Sequence, residues 1–323
     1  MSLTLTILFY AVVFLGIIKL YLKLTTVWCT SNVCLIGKTA IVTGANCGIG
    51  YETAEDFAKR GAKVILACRD EGRGSKAVEK IIKSTDNKNV FFKQLDLSSL
   101  ESVRKFVEDI NKSEKRLDIL VNNAGVGTYG KEKSENGLLM LMQINYFSPF
   151  LLTYLLLDLL RNTSNSRIIN VSSIVAKYVN DFDVEALNNF PKSKYDSFAN
   201  TKLYSFSKLC NILFTIELSK KLKGTSTTTY SLHPGIGNTE ILRKVPPIIK
   251  LFIGIIFKCF CKSPIEAAQT SIYCSVAKGI EQMSGEHFHE CHRVKTYNTA
   301  EDPELAKQLW KTTKHILNLL EIM

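Results

Sequence analysis

Short apolar runs alternate with amphipathic stretches along most of the chain. Thr39–Thr43 is a β-branched run that leads directly into glycines, and Lys63–Cys68 is a second apolar run ahead of a polar stretch. The segment Leu100–Asn111 spaces its apolar residues three and four positions apart, as one face of a helix requires. Strands that alternate with helices predict a parallel sheet with helices on both faces.

The other runs continue this order. The pattern predicts six strands, over Thr39–Thr43, Lys63–Cys68, Val90–Leu95, Ile119–Asn122, Arg167–Ser172 and Thr227–Leu232. It predicts helices between them over Tyr51–Arg60, Glu71–Ser84, Leu100–Asn111, Gly137–Leu160 and Phe206–Leu222. The fold class is therefore α/β, with a single Rossmann-type, doubly wound parallel sheet over residues 38–323.

The amino terminus carries a long apolar stretch. Leu3–Leu22 is interrupted only by threonines and Lys19, and about 20 helical residues can cross a bilayer. No positive segment precedes it and no small-residue cleavage site is evident, which disfavours a signal peptide. We expect residues 1–24 to form a hydrophobic helix that anchors the chain in a membrane, followed by a linker over 25–37. A helix that lies on the membrane without crossing it is the alternative.

Composition narrows the compartment and the partners. Lysine and arginine number 41 against 30 aspartates and glutamates, but the lysines are scattered and no nucleic-acid-binding signature surrounds them. A membrane surface and a phosphate-bearing cofactor account for the excess of basic residues better than nucleic acid does. The nine cysteines show no disulfide spacing, and lysines follow the apolar stretch, so both features favour a domain that faces the cytosol.

Two segments interrupt the regular order. Val245–Lys262 is apolar but too short and too charged for a second span, which favours a flap over a lipophilic pocket or a surface-embedded helix. An ordinary core helix is the alternative. Cysteines and histidines cluster at Cys259–Cys261 and His287–His292. The alternating spacing of the second cluster fits an exposed polar strand or loop better than a closed zinc site, so no metal is predicted.

A glycine-rich turn follows the first strand and opens the first helix of the sheet. Such glycines let the backbone approach a pyrophosphate, and the helix amino terminus presents N–H groups to it. The predicted cofactor contacts in this turn are Gly44, Asn46, Cys47, Gly48, Ile49 and Gly50.

Arg69 lies one residue past the second predicted strand. An acidic residue there would accept the ribose hydroxyl of NAD, whereas a guanidinium suits a ribose 2′-phosphate. NADP(H) is therefore preferred and NAD(H) stays the alternative. The other interpretation of Arg69 is a solvated charge beside Asp70 and Glu71.

Tyr204 and Lys208 stand four residues apart. On a helix this spacing puts a phenol and an ammonium on one face, where the cation can lower the pKa of the phenol. Such a phenol can exchange a proton while a nicotinamide exchanges a hydride. Alone, this pair is common on exposed helices, so the surrounding motifs decide its meaning.

From Lys38 to the C-terminal helix the chain resembles the short-chain dehydrogenase/reductases. The turn Thr43–Gly50 is similar to the family's glycine motif, Asn122–Gly125 to the motif after strand four, and Tyr204 with Lys208 to the active-site pair. The resemblance implies further cofactor contacts at Asp96, Leu97, Asn123, Ala124, Gly125, Tyr204, Lys208, Pro234, Gly235 and Thr239. The catalytic residues that it implies are Asn145, Ser173, Tyr204 and Lys208.

The resemblance also implies roles for these residues. Tyr204 would be the general acid in reduction and the base in oxidation, and Lys208 would lower its pKa and hold the nicotinamide ribose. Ser173 would hydrogen-bond the substrate oxygen, and Asn145 would anchor a water chain that resupplies the proton. Ser172 is the rival of Ser173, because strand alternation lets only one of them face the site.

Within the family, the chain looks most like the membrane-anchored retinol dehydrogenases. The likeness includes Ala67–Asp70, His233–Gly235 and Ser263–Ser271. It implies a lipophilic small-molecule substrate similar to retinal or retinol, with steroids or other lipid carbonyls as alternatives. A non-catalytic membrane-surface scaffold of the same fold is a different class of function. The endoplasmic reticulum is the favoured membrane, mitochondrial and lipid-droplet surfaces are alternatives, and a homodimer stays open.

The stretch between Ser173 and Tyr204 looks longer than in the retinol dehydrogenase type. It contains Tyr178 and Tyr195, which are rival candidates for the acid. Neither has a lysine four residues later, so Tyr204 is preferred.

Overall fold

The computed structural model describes residues 3–191, 195–235 and 262–319, and its sheet has eight strands in the order β3-β2-β1-β4-β5-β6-β7-β8. The strands are β1 Thr39–Thr43, β2 Lys63–Cys68, β3 Val90–Gln94, β4 Ile119–Asn122, β5 Arg167–Val171, β6 Thr228–His233, β7 His287–His289 and β8 His292–Val294. The first seven pair in parallel, and β8 is antiparallel to β7. The six predicted strands all occur, so the prediction of a Rossmann-type α/β sheet is confirmed.

Helices cover both faces of this sheet. The α-helices of the described residues are α1 Leu3–Leu24, α2 Gly48–Lys59, α3 Glu71–Thr85, α4 Leu100–Ser113, α5 Met140–Met142, α6 Ser148–Leu155, α7 Leu157–Arg161, α8 Asp196–Lys221, α9 Pro264–Val276 and α10 Pro303–Ile316, and α1 lies outside both layers. Apolar side chains of α4, α6, α8 and α10 form one core against the sheet, and those of α2, α3 and α9 form the other. The doubly wound arrangement brings the carboxyl ends of the parallel strands to one edge, where ligands bind in such folds.

The long helix predicted over Gly137–Leu160 is interrupted. A π-helical turn, Gln143–Phe147, separates α5 from α6, and α7 follows as a further short helix. All five residues of the turn are buried. Because this segment is covered on every side and polar Gln143 and Asn145 are buried with the apolar residues, the hydrophobic pattern does not reveal the extra residue in the turn. Helix α8 also begins earlier than predicted, at Asp196 rather than Phe206.

Strand β7 corrects the prediction of an exposed polar segment at His287–His292. The predicted strand is present, but His287 and Phe288 are only 0% and 1% exposed. The ring of His287 packs against Tyr297, and that of Phe288 packs against Tyr273 of α9. The segment is buried because it extends the sheet beside β6 and is covered on both faces, which its local polarity does not indicate.

The predicted amino-terminal helix is present as α1, and side chains such as Phe14 and Ile17 are 63% and 60% exposed. Across the described part of the chain, no helix combines the length and apolarity that crossing a membrane requires, so the predicted span is not confirmed. The segment after α1 returns to the domain, where the Cys29 N–H donates to Gln269 Oε1 at 3.0 Å. The predicted flap over 245–262 lies outside the described residues except for Lys262.

Candidate active site

The glycine turn between β1 and α2 forms one end of the site. Gly44 and Gly48 have φ of +65° and +61°, in the left-handed region that favours glycine. A Cβ added to Gly50 would lie 2.4 Å from Asn123 Nδ2, whereas one on Gly48 would meet no described atom within 4 Å. The turn is thus closely packed against Asn123 at Gly50 and open at Gly48, where the N–H groups of α2 begin. This open backbone fits a pyrophosphate.

The other predicted residues of the turn are placed differently from one another. Asn46 and Cys47 are partly exposed beside Gly48, whereas the side chain of Ile49 is only 9% exposed and packs into the core that contains α2. Only the backbone of Ile49 is therefore available to a cofactor.

Thr43 joins the glycine turn to the residues after β4, a role that sequence reasoning missed. Its Oγ1 accepts hydrogen bonds from the backbone N–H groups of Asn123 and Ala124, at 3.0 and 2.9 Å. The Asn123 side chain donates to the Thr43 carbonyl at 2.8 Å. Asn123 therefore joins the end of β1 to the segment after β4, and its side-chain Nδ2 already donates one hydrogen bond within the protein.

Asn145 lies in the π-helical turn and connects three parts of the site. Its Oδ1 accepts from Val126 N at 2.8 Å, and its Nδ2 donates to the Val126 carbonyl and to Ser207 Oγ at 2.9 and 3.1 Å. A Cβ on the exposed Gly125 would lie 3.3 Å from Lys208 Nζ and 3.4 Å from Asn145 Oδ1. The structure thus brings Gly125, Asn145 and Lys208 together. Ser207, adjacent to Lys208, was missed.

The two serines after β5 point in different directions. Ser172 is 2% exposed, and its hydroxyl donates to the Lys208 carbonyl at 2.7 Å. Ser173 is partly exposed, and its hydroxyl hydrogen-bonds the phenol of Tyr204. Ser173 is therefore the serine that lies beside the predicted acid.

Electrostatics at Tyr204 differ from the sequence expectation. Burial raises the pKa of Tyr204 to about 12, although the Ser173 hydrogen bond acts to lower it. Lys208 is 4% exposed, and its Nζ donates to the Val171 carbonyl at 3.0 Å, 5.7 Å from the centre of the Tyr204 ring. Burial lowers the pKa of Lys208 to about 8. The expected net lowering of the phenol pKa is wrong, because burial of the phenol is the dominant influence and it raises the pKa.

The adenosine-side candidates lie at the ends of β2 and β3. Arg69 is exposed just past β2. The Asp96 carboxylate accepts from the N–H and hydroxyl of Ser98, at 2.9 and 2.6 Å, which holds it within its own loop. Leu97 is buried, and its carbonyl accepts from Ser148 Oγ at 2.7 Å.

The remaining candidates differ in their position and in their exposure to solvent. Pro234 and Gly235 directly follow β6, with Gly235 at φ +87°, and Thr239 lies outside the described residues. The rival acids Tyr178 and Tyr195 are 72% and 55% exposed on the surface. Tyr204 is thus the candidate that lies beside Ser173 and Lys208.

Known proteins are similar to this chain in sequence and in fold. The short chain dehydrogenase family model matches residues 38–183. Retinol dehydrogenase 11 of Mus musculus is 42% identical over 292 residues, covering 90% of each chain, and retinol dehydrogenase 13 of Mus musculus is 43% identical, covering 90% of this chain and 87% of its own. The RhlG/NADP active-site complex of Pseudomonas aeruginosa superposes with a TM-score of 0.61 at 26% identity, covering 79% of this chain and 95% of that one. This chain belongs to the short-chain dehydrogenase/reductase family.

Proposed function

We propose that this protein is an NADP(H)-dependent oxidoreductase that interconverts a lipophilic aldehyde or ketone with its alcohol. One observation carries the proposal, which is the convergence of four groups at the carboxyl edge of the sheet. They are the Asn145 amide, the Ser173 hydroxyl, the Tyr204 phenol and the Lys208 ammonium. Together they offer a proton donor, a second hydrogen-bond donor and a buried cation.

The residues at the glycine turn fit a dinucleotide. The open backbone at Gly48 and the amino end of α2 suit a pyrophosphate, and the exposed guanidinium of Arg69 suits a ribose 2′-phosphate. The NADP in the name of the superposed Pseudomonas aeruginosa complex supports this preference. When bound, a nicotinamide cofactor supplies or accepts the hydride.

The chain's own residues would manage the proton. With a pKa of about 12, Tyr204 keeps its proton at neutral pH and can donate it to a carbonyl oxygen. Ser173 can donate a second hydrogen bond to the same oxygen as negative charge develops there. Lys208 is still protonated at neutral pH, because its pKa is about 8, and its charge stabilises the phenolate that remains. Asn145 fixes the Val126 backbone beside them.

Retinal and retinol are the proposed substrate pair. The names of the relatives support this choice. The segment from the end of β5 to Phe206 also contains aromatic groups that suit a lipophilic molecule. The Phe182 and Phe206 rings pack edge to face at 5.5 Å, and Phe198 is 67% exposed.

The test is NADPH and NADH oxidation by the full-length protein with all-trans-retinal, a steroid ketone and a short soluble aldehyde. Tyr204→Phe should abolish turnover while it retains NADPH binding, and Tyr195→Phe, at an exposed site, should behave as the wild type. Turnover by Tyr204→Phe would place the acid elsewhere. Tight NADPH binding without turnover of any carbonyl would favour a scaffold.

Residues 1–24 are proposed to hold the protein at a membrane, the endoplasmic reticulum being the expected one, with residues 38–323 in the cytosol. The exposed apolar side chains of α1, such as Phe14, Ile17 and Tyr21, support the proposal. Deleting residues 1–24 should release the protein in vesicle flotation. Carbonate extraction of the full chain distinguishes a helix that crosses the bilayer from one that lies on it. A truncated chain that still floats would contradict the assignment.

A further inference from the structure

An ion pair lies directly behind the turn that follows β6. The stem of Lys262 packs against Gly235, since a Cβ added to that glycine would be 2.8 Å from Lys262 Cδ and 3.1 Å from its Cε. At the end of the stem, Nζ lies 2.5 Å from Glu290 Oε1. The two side chains are only 16% and 28% exposed. We propose that Lys262 and Glu290 are positioning residues that hold the Pro234–Gly235 turn in place for hydride transfer, an inference that rests on the proposed function.

Glu290 is presented by a tight turn. Glu290 and Cys291 form this turn between β7 and β8, and both have positive φ, at 49° and 58°. Among the described residues, Glu290 Oε2 has no hydrogen-bond partner although it is buried. A buried carboxylate with one unsatisfied oxygen depends strongly on its remaining partner. Lys262 is therefore the ion-pair partner on which this carboxylate depends, and the stem of Lys262 makes the contact with Gly235.

The residue before Pro234 is joined to the same hairpin. The rings of His233 and His289 stack with centroids 4.8 Å apart and planes at 18°. His289 Nδ1–H donates to the His233 carbonyl at 3.2 Å, and His289 Nε2 lies 3.8 Å from Glu290 Oε1. Strand β7 thus contacts His233 directly through His289, and the turn after β7 reaches Gly235 through Lys262. His233 fixes one end of the segment and Lys262 fixes the other.

The held turn is adjacent to the proposed catalytic groups. Strand β6 pairs with β5, and the Ser172 N–H donates to the Leu232 carbonyl at 2.7 Å. Ser173 is the next residue, so the turn after β6 forms the wall of the site beside it. A shift of about 1 Å in a positioning element can reduce turnover about 100-fold. A loose turn should therefore affect kcat more than affinity, because the glycine turn that binds the other end of the cofactor is unchanged.

The experiment compares Lys262→Met, Lys262→Arg and the charge-exchanged Lys262→Glu/Glu290→Lys variant in the full chain. We expect Lys262→Met to lower kcat about 10- to 100-fold with less than about a threefold change in the KM for NADPH. Lys262→Arg should retain most of the activity, and the charge exchange should recover part of the activity that Lys262→Met lacks. The fluorescence of bound NADPH reports the surroundings of the nicotinamide directly, and it should change in Lys262→Met without a matching decrease in affinity.

Lys63→Met is the matched control, because Lys63 Nζ lies 2.6 Å from Glu114 Oε1 in another lysine–glutamate pair whose side chains are 37% and 7% exposed. It should lower the thermal midpoint while kcat and the NADPH emission stay at wild-type values. Wild-type kcat and emission in Lys262→Met would overturn the inference. An equal loss of kcat in Lys63→Met would do the same, since general destabilisation would then explain both. If the wild type turns over no carbonyl, the proposed function fails and the NADPH emission alone decides the inference.

Discussion

Ser173→Ala tests the assignment of the substrate-facing hydroxyl. The substitution removes a partly exposed group that hydrogen-bonds the Tyr204 phenol. If this hydroxyl also stabilises the charge that develops on the substrate oxygen, kcat should fall about 100- to 1,000-fold, which corresponds to about 3–4 kcal/mol of the activation barrier. The cost to stability should be small, about 0.5–1 kcal/mol, because the hydrogen bond that Ser173 Oγ accepts from the Val175 N–H is long, at 3.5 Å.

Ser172→Ala is the matched control, since the same atom is removed one residue earlier. The Ser172 hydroxyl is buried and donates to the Lys208 carbonyl at 2.7 Å, facing away from Tyr204. We expect a decrease of about 1 kcal/mol in the free energy of unfolding. In a chain of 323 residues that lowers the thermal midpoint by about 1–2 °C. The kcat should change by less than about tenfold.

The assay measures NADPH consumption with retinal at saturating and limiting concentrations, alongside NADPH affinity and thermal unfolding. The expected result is a separation, in which Ser173→Ala has a lower kcat and Ser172→Ala has a lower stability. The reverse separation would refute the assignment of the two side chains. Equal decreases in kcat would show that the end of β5 acts as a unit and that Ser173 has no special contact with the substrate.

Three further predictions follow from single contacts. Gly50→Ala should cost about 1–3 kcal/mol of stability and weaken NADPH binding, because its Cβ would lie 2.4 Å from Asn123 Nδ2. Gly72→Ala, whose Cβ meets no described atom closer than 3.6 Å, should change neither the stability nor NADPH binding. In reduction, kcat/KM should fall as pH rises through about 8. The pKa of Lys208 is lowered to about 8, so its charge is present below this pH and lost above it. Tyr204, with a pKa of about 12, stays protonated over the same range. A profile that stays level well above pH 8 would contradict this reasoning. Arg69→Asp should shift the ratio of kcat/KM values toward NADH, and an unchanged ratio would remove the argument for NADP.

The parts of the site that sequence reasoning located are those with local signatures. The glycine turn is recognisable because Gly44 and Gly48 need positive φ and lie between a strand and a helix. Tyr204 and Lys208 are recognisable because one helix fixes their spacing. The hydrogen-bonding roles of Thr43 and Ser207 were missed because each acts through a partner far away in the sequence, at Asn123 and Asn145 respectively.

The order of strands and helices and the identity of the paired phenol and amine could be derived from the chain alone. Periodicity and four-residue spacing are local properties, which neighbouring residues impose on one another. Three other properties could not be derived from the chain alone. They are the burial of His287, the raised pKa of Tyr204 and the contact of Lys262 with Glu290. Desolvation and ion pairing depend on which distant segments are packed around a group, and that packing exists only once β5, β6 and β7 lie side by side.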